Sequence, residues 1–202
     1  MKKHIAVVCY DDKTPTDPIT ADAVVMRDTL NQAGYNAVLV HQWSLDERAR
    51  SRASPFKTAK DWKRYDGVVL AGSFYYSWPL VELILSQRPV ICTNVGYVDD
   101  LGLGDAVHED AAQQYYTVQT KGHAITAGQS VGGLDVGSHV WMDATWSLNH
   151  KVTVLVTTMA GNVVLAAHNK RPMVYFGWYR MTDAAAGSPL FSLLTNAAKW
   201  AF

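Results

Sequence analysis

Cysteine is scarce in this 202-residue chain: only Cys9 and Cys92 occur, both inside apolar runs that read as strands. That setting predicts two buried thiols and argues against a disulfide framework. Charge is sparse as well, at 18% of residues, and eighteen basic side chains balance eighteen acidic ones. A formal net charge of zero leaves no overall field to favour nucleic acid or an anionic membrane. No apolar run approaches the roughly 18 residues that a membrane-spanning helix needs. Met1-Lys2-Lys3 leads directly into a strand too short to serve as a signal-peptide core. These absences predict a soluble protein, cytoplasmic or part of a soluble assembly. The seven histidines show neither an i,i+4 pair nor H-x-x-E spacing. A metal site would therefore need distant residues such as His108, His123 and His139, and no metal or cofactor is expected. Internal repeats, low-complexity tracts and linkers are also missing, so residues 1–202 are expected to form a single domain.

What is present has a clear order. His4–Tyr10 is a near-continuous apolar run, as expected of a central strand covered on both faces. After the polar loop Asp11–Pro18, a helix is predicted from about Thr20, with Ala23, Met26, Leu30 and Ala33 on one face and Gly34 as its stop. Asn36–Val40 completes a β-α-β unit. Ser44-Leu45-Asp46-Glu47 matches a capping box for a short helix to about Arg52. Gly67–Ala71 is the next strand, followed by the aromatic loop Gly72–Pro79 and a helix opened by Pro79. Arg88–Thr93 reads as a buried strand that ends in a sharp turn and enters another helix, whose first turn carries Asp99 and Asp100. From Gly102 to Asn149 the pattern loosens. Val152–Thr157, Val163–Ala167 and Met173–Phe176 then read as a meander. Ser188-Pro189 opens a last helix with an apolar stripe of Leu190, Leu193, Leu194, Ala197 and Ala198.

This order predicts an α/β fold, a flavodoxin-like three-layer sandwich with a mostly parallel central sheet and a β-rich later part. In such sheets ligands collect at the carboxyl ends of strands. The residue at the apex after Arg88–Thr93 is Asn94, which is not a nucleophile. Asn tolerates the positive φ that sharp strand-to-helix turns often impose, so the apex is expected in that conformation. Cys92 lies two residues earlier and is expected to pack in the strand. Cys9 ends the first strand near Asp11 and Asp12, whose charges would raise a thiol pKa, the wrong direction for a nucleophile. Ser73 lacks a visible base and is expected to hydrogen-bond within its loop. His123 is expected to fix the turn before Ile125-Thr126. Tyr75, Tyr76, Trp78, Tyr97, Trp178 and Tyr179 are all placed at the same carboxyl edge, where they would wall a cleft for a stacking ligand, a sugar ring or a protein contact.

Four segments carry a resemblance. Tyr65–Gly72, Pro89–Leu101 with Gly96 two residues beyond the apex, Gly122-His123-Ala124-Ile125-Thr126-Ala127-Gly128, and Lys170–Gly177 resemble segments of the class I glutamine amidotransferase-like superfamily, including its ThuA-like branch. The likeness covers essentially the whole chain. It implies a cysteine nucleophile at the position of Asn94 and a histidine at the end of the late strand, where Trp178 and Tyr179 stand. Acyl transfer needs a nucleophile, a base and a group that orients the base. The resemblance therefore implies a non-catalytic binding or assembly subunit, with a protein partner, a second copy of itself or a small molecule at the aromatic edge. The alternative is a hydrolase or amidotransferase-like enzyme that acts on a small amide or sugar-derived substrate through Cys9, Ser73 or a histidine-bound metal. A ThuA-like role in sugar metabolism is a third.

Overall fold

A computed structural model of the chain describes residues 1–9, 18–41, 59–71, 83–105, 108–145 and 148–202. The predicted 44–52 helix, the helix start at Pro79, and Ser73, Tyr75, Tyr76 and Trp78 lie outside these residues. Nine described strands join one sheet: β1 (His4–Cys9), β2 (Asn36–His41), β3 (Gly67–Leu70), β4 (Val90–Cys92), β5 (His108–Val118), β6 (Gly132–Thr145), β7 (Val152–Thr158), β8 (Val163–His168) and β9 (Met173–Phe176). Four described α-helical stretches accompany them: α1 (Pro18–Gln32), α2 (Ala59–Trp62), residues 83–86 and α3 (Pro189–Ala201). None is long and apolar enough to cross a membrane.

The strand order is β2-β1-β3-β4-β9-β8-β6-β5-β7. The first five strands pair in parallel. Beyond β9 every ladder is antiparallel, and β5, β6, β8 and β7 pair in a ring that closes as a four-strand barrel. The expected flavodoxin-like sandwich with a mostly parallel sheet is therefore overturned: the molecule is β-rich, mostly antiparallel and poor in helices. The reason lies in the connections. A parallel pair needs a crossover of a dozen or more residues, usually a helix. From β5 onward no described α-helix lies between successive strands. The β7-to-β8 and β8-to-β9 links are tight turns, and such short links close only antiparallel pairs.

Alternation along β1 and its neighbours divides the core in two. Ile5, Val7, Ile91, Val174 and Phe176 meet α1 and α3 on one face, while Ala6, Val8, Leu70, Cys92 and Tyr175 share the other with Trp62 of α2. The terminal helix forms as its sequence dictates. Ser188 caps it by accepting the Leu190 N–H, Pro189 occupies its first turn, and the predicted stripe is buried. Gly34, at φ +96°, ends the first helical segment in a conformation that glycine adopts without penalty.

Asp22 ties α1 to the segment after β9. It is 1% exposed, accepts hydrogen bonds from the Thr182 backbone N–H (2.8 Å) and hydroxyl (2.7 Å), and lies 3.3 Å from Arg180 Nε. Burial raises its pKa, and the Thr182 bonds and Arg180 charge offset this only in part. With the folded value above the unfolded one, the carboxyl favours folding below the unfolded pKa, and that contribution is lost as pH rises through the folded pKa. Asp22→Asn keeps an acceptor but removes the titration. In urea unfolding, the stability of the wild type relative to Asp22→Asn is expected to fall as pH rises from below the ordinary carboxylate range through the raised pKa of Asp22. A constant difference would refute it.

Candidate functional site

The carboxyl end of β4 is held by Thr93, whose backbone N–H (3.1 Å) and hydroxyl (2.8 Å) both donate to the Leu70 carbonyl. Asn94 follows at φ −108°, ψ 121°, which is extended backbone, so the expected positive-φ apex is not formed. Its Oδ1 accepts the Gly96 N–H at 2.7 Å and starts a 3-10 turn over Val95–Tyr97. A Cβ on Gly96 would lie 2.9 Å from that oxygen, so a larger residue there would need a small shift of the Asn94 side chain. The expected α-helix is absent here: a 3-10 turn and bends follow instead. Asp99 and Asp100 sit in a short turn, and the Asp100 N–H bonds the Asp99 carboxylate (2.8 Å).

Cys92 points into the core beneath Asn94. Its thiol donates to the Asn94 carbonyl at 3.1 Å, and burial, assisted by the nearby Asp143 charge, pushes its pKa up to about 12. Cys9 is also buried, with its sulfur 3.8 Å from the Val40 carbonyl. Neither sulfur sits in the electropositive, partly open setting that makes a thiol reactive.

The aromatic edge is only partly assembled by the described residues. Tyr97 is buried in the second core cluster. Trp178 is fully buried in the first, edge-on to Tyr116 (5.2 Å between centroids) and Phe176 (5.1 Å). Tyr179 alone is partly exposed there, and its hydroxyl donates to Asp110 Oδ1 at 2.9 Å. Burial first, then Asp110 and Asp143, raise the Tyr179 pKa.

One feature escaped sequence reasoning. Asp110 of β5 and Asp143 of β6 stand directly opposite in register, and the next pair on the same face is Ala112 with the half-exposed Trp141. Directly opposed residues in antiparallel strands have Cβ atoms about 5 Å apart. Two carboxylates, a tyrosine hydroxyl and an indole thus gather beside the carboxyl ends of β4 and β9, where Tyr175 donates its own hydroxyl to the Asp143 carbonyl (2.7 Å). The signal lay in the alternation of β5 and β6, which a bulge between Gln113 and Tyr115 interrupts.

His123 behaves as expected, its Nδ1 accepting the Ile125 N–H (3.2 Å) at the start of a 3-10 turn, with burial lowering its pKa. Asn196 of α3 donates to the Ile125 and Ala127 carbonyls and seats this turn on the helix. Among the described residues no group of His, Cys, Asp or Glu could hold a metal ion.

No family model and no curated protein matches the sequence. Solved structures do. A ThuA-like protein from Parabacteroides merdae aligns over 100% of this chain and 90% of its own, with a TM-score of 0.64 at 12% identity. The chain has the fold of ThuA-like and glutamine amidotransferase proteins. A glutamine amidotransferase from Thermotoga maritima aligns over 86% of this chain and 74% of its own (TM-score 0.53, 12% identity). The glutaminase domain of Trypanosoma brucei CTPS, with bound acivicin, aligns over 98% and 94% (TM-score 0.54, 12% identity). The superfamily resemblance read from the sequence is thus supported, as a likeness of fold.

Proposed function

We propose that this amidotransferase-like domain is a non-catalytic binding or assembly subunit. The observation that supports this reading most directly is the state of the apex: Asn94 stands where the resemblance expects the nucleophile, and its side-chain oxygen is engaged by Gly96. The nearest thiol, Cys92, is buried and carries a pKa of about 12. Near neutral pH the thiol therefore stays protonated, and the thiolate is the nucleophilic form. Trp178, at the end of the strand expected to deliver a histidine, is committed to the core. What the edge retains is recognition chemistry: Tyr179 and Trp141 beside Asp110 and Asp143.

The test is incubation with L-glutamine and, separately, with acivicin, the compound bound in the trypanosomal glutaminase domain. No ammonia release and no change in protein mass are expected. Iodoacetamide should label neither cysteine in the folded protein and both after denaturation. Glutamine turnover that disappears in a folded Cys9→Ala or Cys92→Ala variant would overturn the reading.

A second reading, a hydrolase for a small amide or sugar-derived substrate, draws on the opposed Asp110–Asp143 pair, since paired carboxylates in different surroundings can divide acid and base roles. It requires turnover that Asp110→Asn abolishes while the fold persists.

A further inference from the structure

At the opposite end of the sheet, where β4 and β9 begin, a cavity of about 530 Å³ opens between the turn before β4 and the turn before β9. Its charged lining is wholly basic: Arg88, Lys170 and Arg171, with no acidic residue among the described lining. Leu85, Pro172 and Met173 supply an apolar wall, and Leu85 is 62% exposed. We propose that this cavity binds a small phosphate-bearing molecule, with the three cations holding the phosphate and the apolar wall meeting the rest.

Several independent observations point there. Arg88 Nε is shielded from solvent and has no hydrogen-bond partner among the described residues. Buried donors are normally satisfied, and a guanidinium is shaped for a phosphate oxygen pair. None of the three cations has an ion-pair partner among the described residues, although basic and acidic side chains balance over the chain. Gln87, on the rim, has φ +56°, and it is the one described residue other than glycine with positive φ. This left-handed residue ends the helical stretch 83–86 and sets the turn that delivers Arg88 to the cavity.

The turn that presents Lys170 and Arg171 is itself fixed. His168 Nδ1 accepts both backbone N–H groups, from Lys170 at 3.0 Å and Arg171 at 3.1 Å. Burial, then the charges of Arg171, Lys151 and Lys170, lower the His168 pKa and favour the neutral ring this capping requires. A volume near 500 Å³ suits a small ligand. The cations converge on a cavity instead of forming a stripe, and no described aromatic lines it for base stacking, which disfavours a polynucleotide.

The full-length protein is titrated with inorganic pyrophosphate at low salt and followed by amide and methyl NMR. Saturable shifts are expected at Arg88, Lys170, Arg171 and the Met173 methyl, with dissociation constants at least about tenfold weaker in Arg171→Gln and Arg88→Gln. Exposed Lys121, which does not line the cavity, provides Lys121→Gln as the control with unchanged affinity. Because Arg171 is exposed, its variant tests the site even if Arg88→Gln destabilises the fold. Citrate serves as the carboxylate arm and is expected to bind more weakly. Absence of saturable shifts, equal affinity in folded Arg171→Gln, preference for citrate, or binding of single-stranded RNA without competition by pyrophosphate would each overturn the proposal.

Discussion

Replacing Trp178 with alanine should cost about 4 kcal/mol of folding stability, since removing a fully buried aromatic ring leaves a cavity its neighbours fill only in part. Trp178 is 0% exposed and lies edge-on to Tyr116 and Phe176, within a cluster that also holds residues of α1, β6 and α3. Edge-on aromatic pairs add about 1 kcal/mol beyond area burial. The indole N–H lies by the Tyr116 hydroxyl but forms no well-aligned hydrogen bond, so its desolvation offsets part of the gain from this packing. Trp178→Phe, which keeps a ring in place, should cost roughly 1–2 kcal/mol. Urea unfolding followed by far-ultraviolet circular dichroism measures both. A loss under about 1 kcal/mol for Trp178→Ala would show that the ring is not part of the core. The result matters for function because loss of binding in Trp178→Ala would report unfolding. Tyr179→Phe is the cleaner probe of the edge, as it removes only the hydroxyl that meets Asp110.

Trp178 shows where the sequence could be read and where it could not. Val174, Phe176 and Trp178 share one parity, and all three lie in the same core cluster. Extending the β9 alternation by two residues would have placed the indole inside; grouping it with other aromatics by loop position placed it in a cleft. The parallel half was legible because β1, β3 and β4 are short apolar runs bounded by turn residues, and Ser188-Pro189 announces α3 without ambiguity. The antiparallel half was obscured at two points. In β6, Leu134, Val136, Val140 and Met142 are buried and alternate with more exposed residues, but Gly132, Gly133 and Gly137 weaken the strand signal. In β5, the bulge resets the alternation between Gln113 and Tyr115. The Asp110–Asp143 pairing depends on that register, which no local pattern specifies. At Asn94 the local chemistry was visible but ambiguous: Asn-x-Gly serves a positive-φ apex or a side-chain-capped turn equally well, and tertiary context selected the second.

Gly177→Ala should be the most damaging glycine-to-alanine change among the described residues, with an expected loss of at least about 3 kcal/mol or failure to fold. Its φ is not positive, so the requirement is for space alone. A Cβ there would stand 2.1 Å from the Asp143 carbonyl oxygen, 3.0 Å from the Tyr175 hydroxyl and 3.1 Å from Val164 Cγ2. None of these neighbours can withdraw cheaply. The Gly177 N–H donates to the Val164 carbonyl at 2.7 Å and its own carbonyl accepts the Asp143 N–H at 2.9 Å, so the residue is stitched to β8 on one side and β6 on the other. The threatened carbonyl also accepts the Tyr175 hydroxyl. Gly67 offers the contrast: a Cβ there would come within 2.3 Å of the Phe202 ring, a partly exposed side chain that can rotate away. Gly67→Ala should therefore cost less than about 1.5 kcal/mol. Comparing the two by urea unfolding separates backbone contact from side-chain contact, and equal losses would contradict the argument. If Gly177→Ala folds at all, the displaced strand should move Asp143 away from Asp110 and break the Tyr179 hydrogen bond. The same methyl group would then damage both the closure of the barrel and the recognition edge it supports.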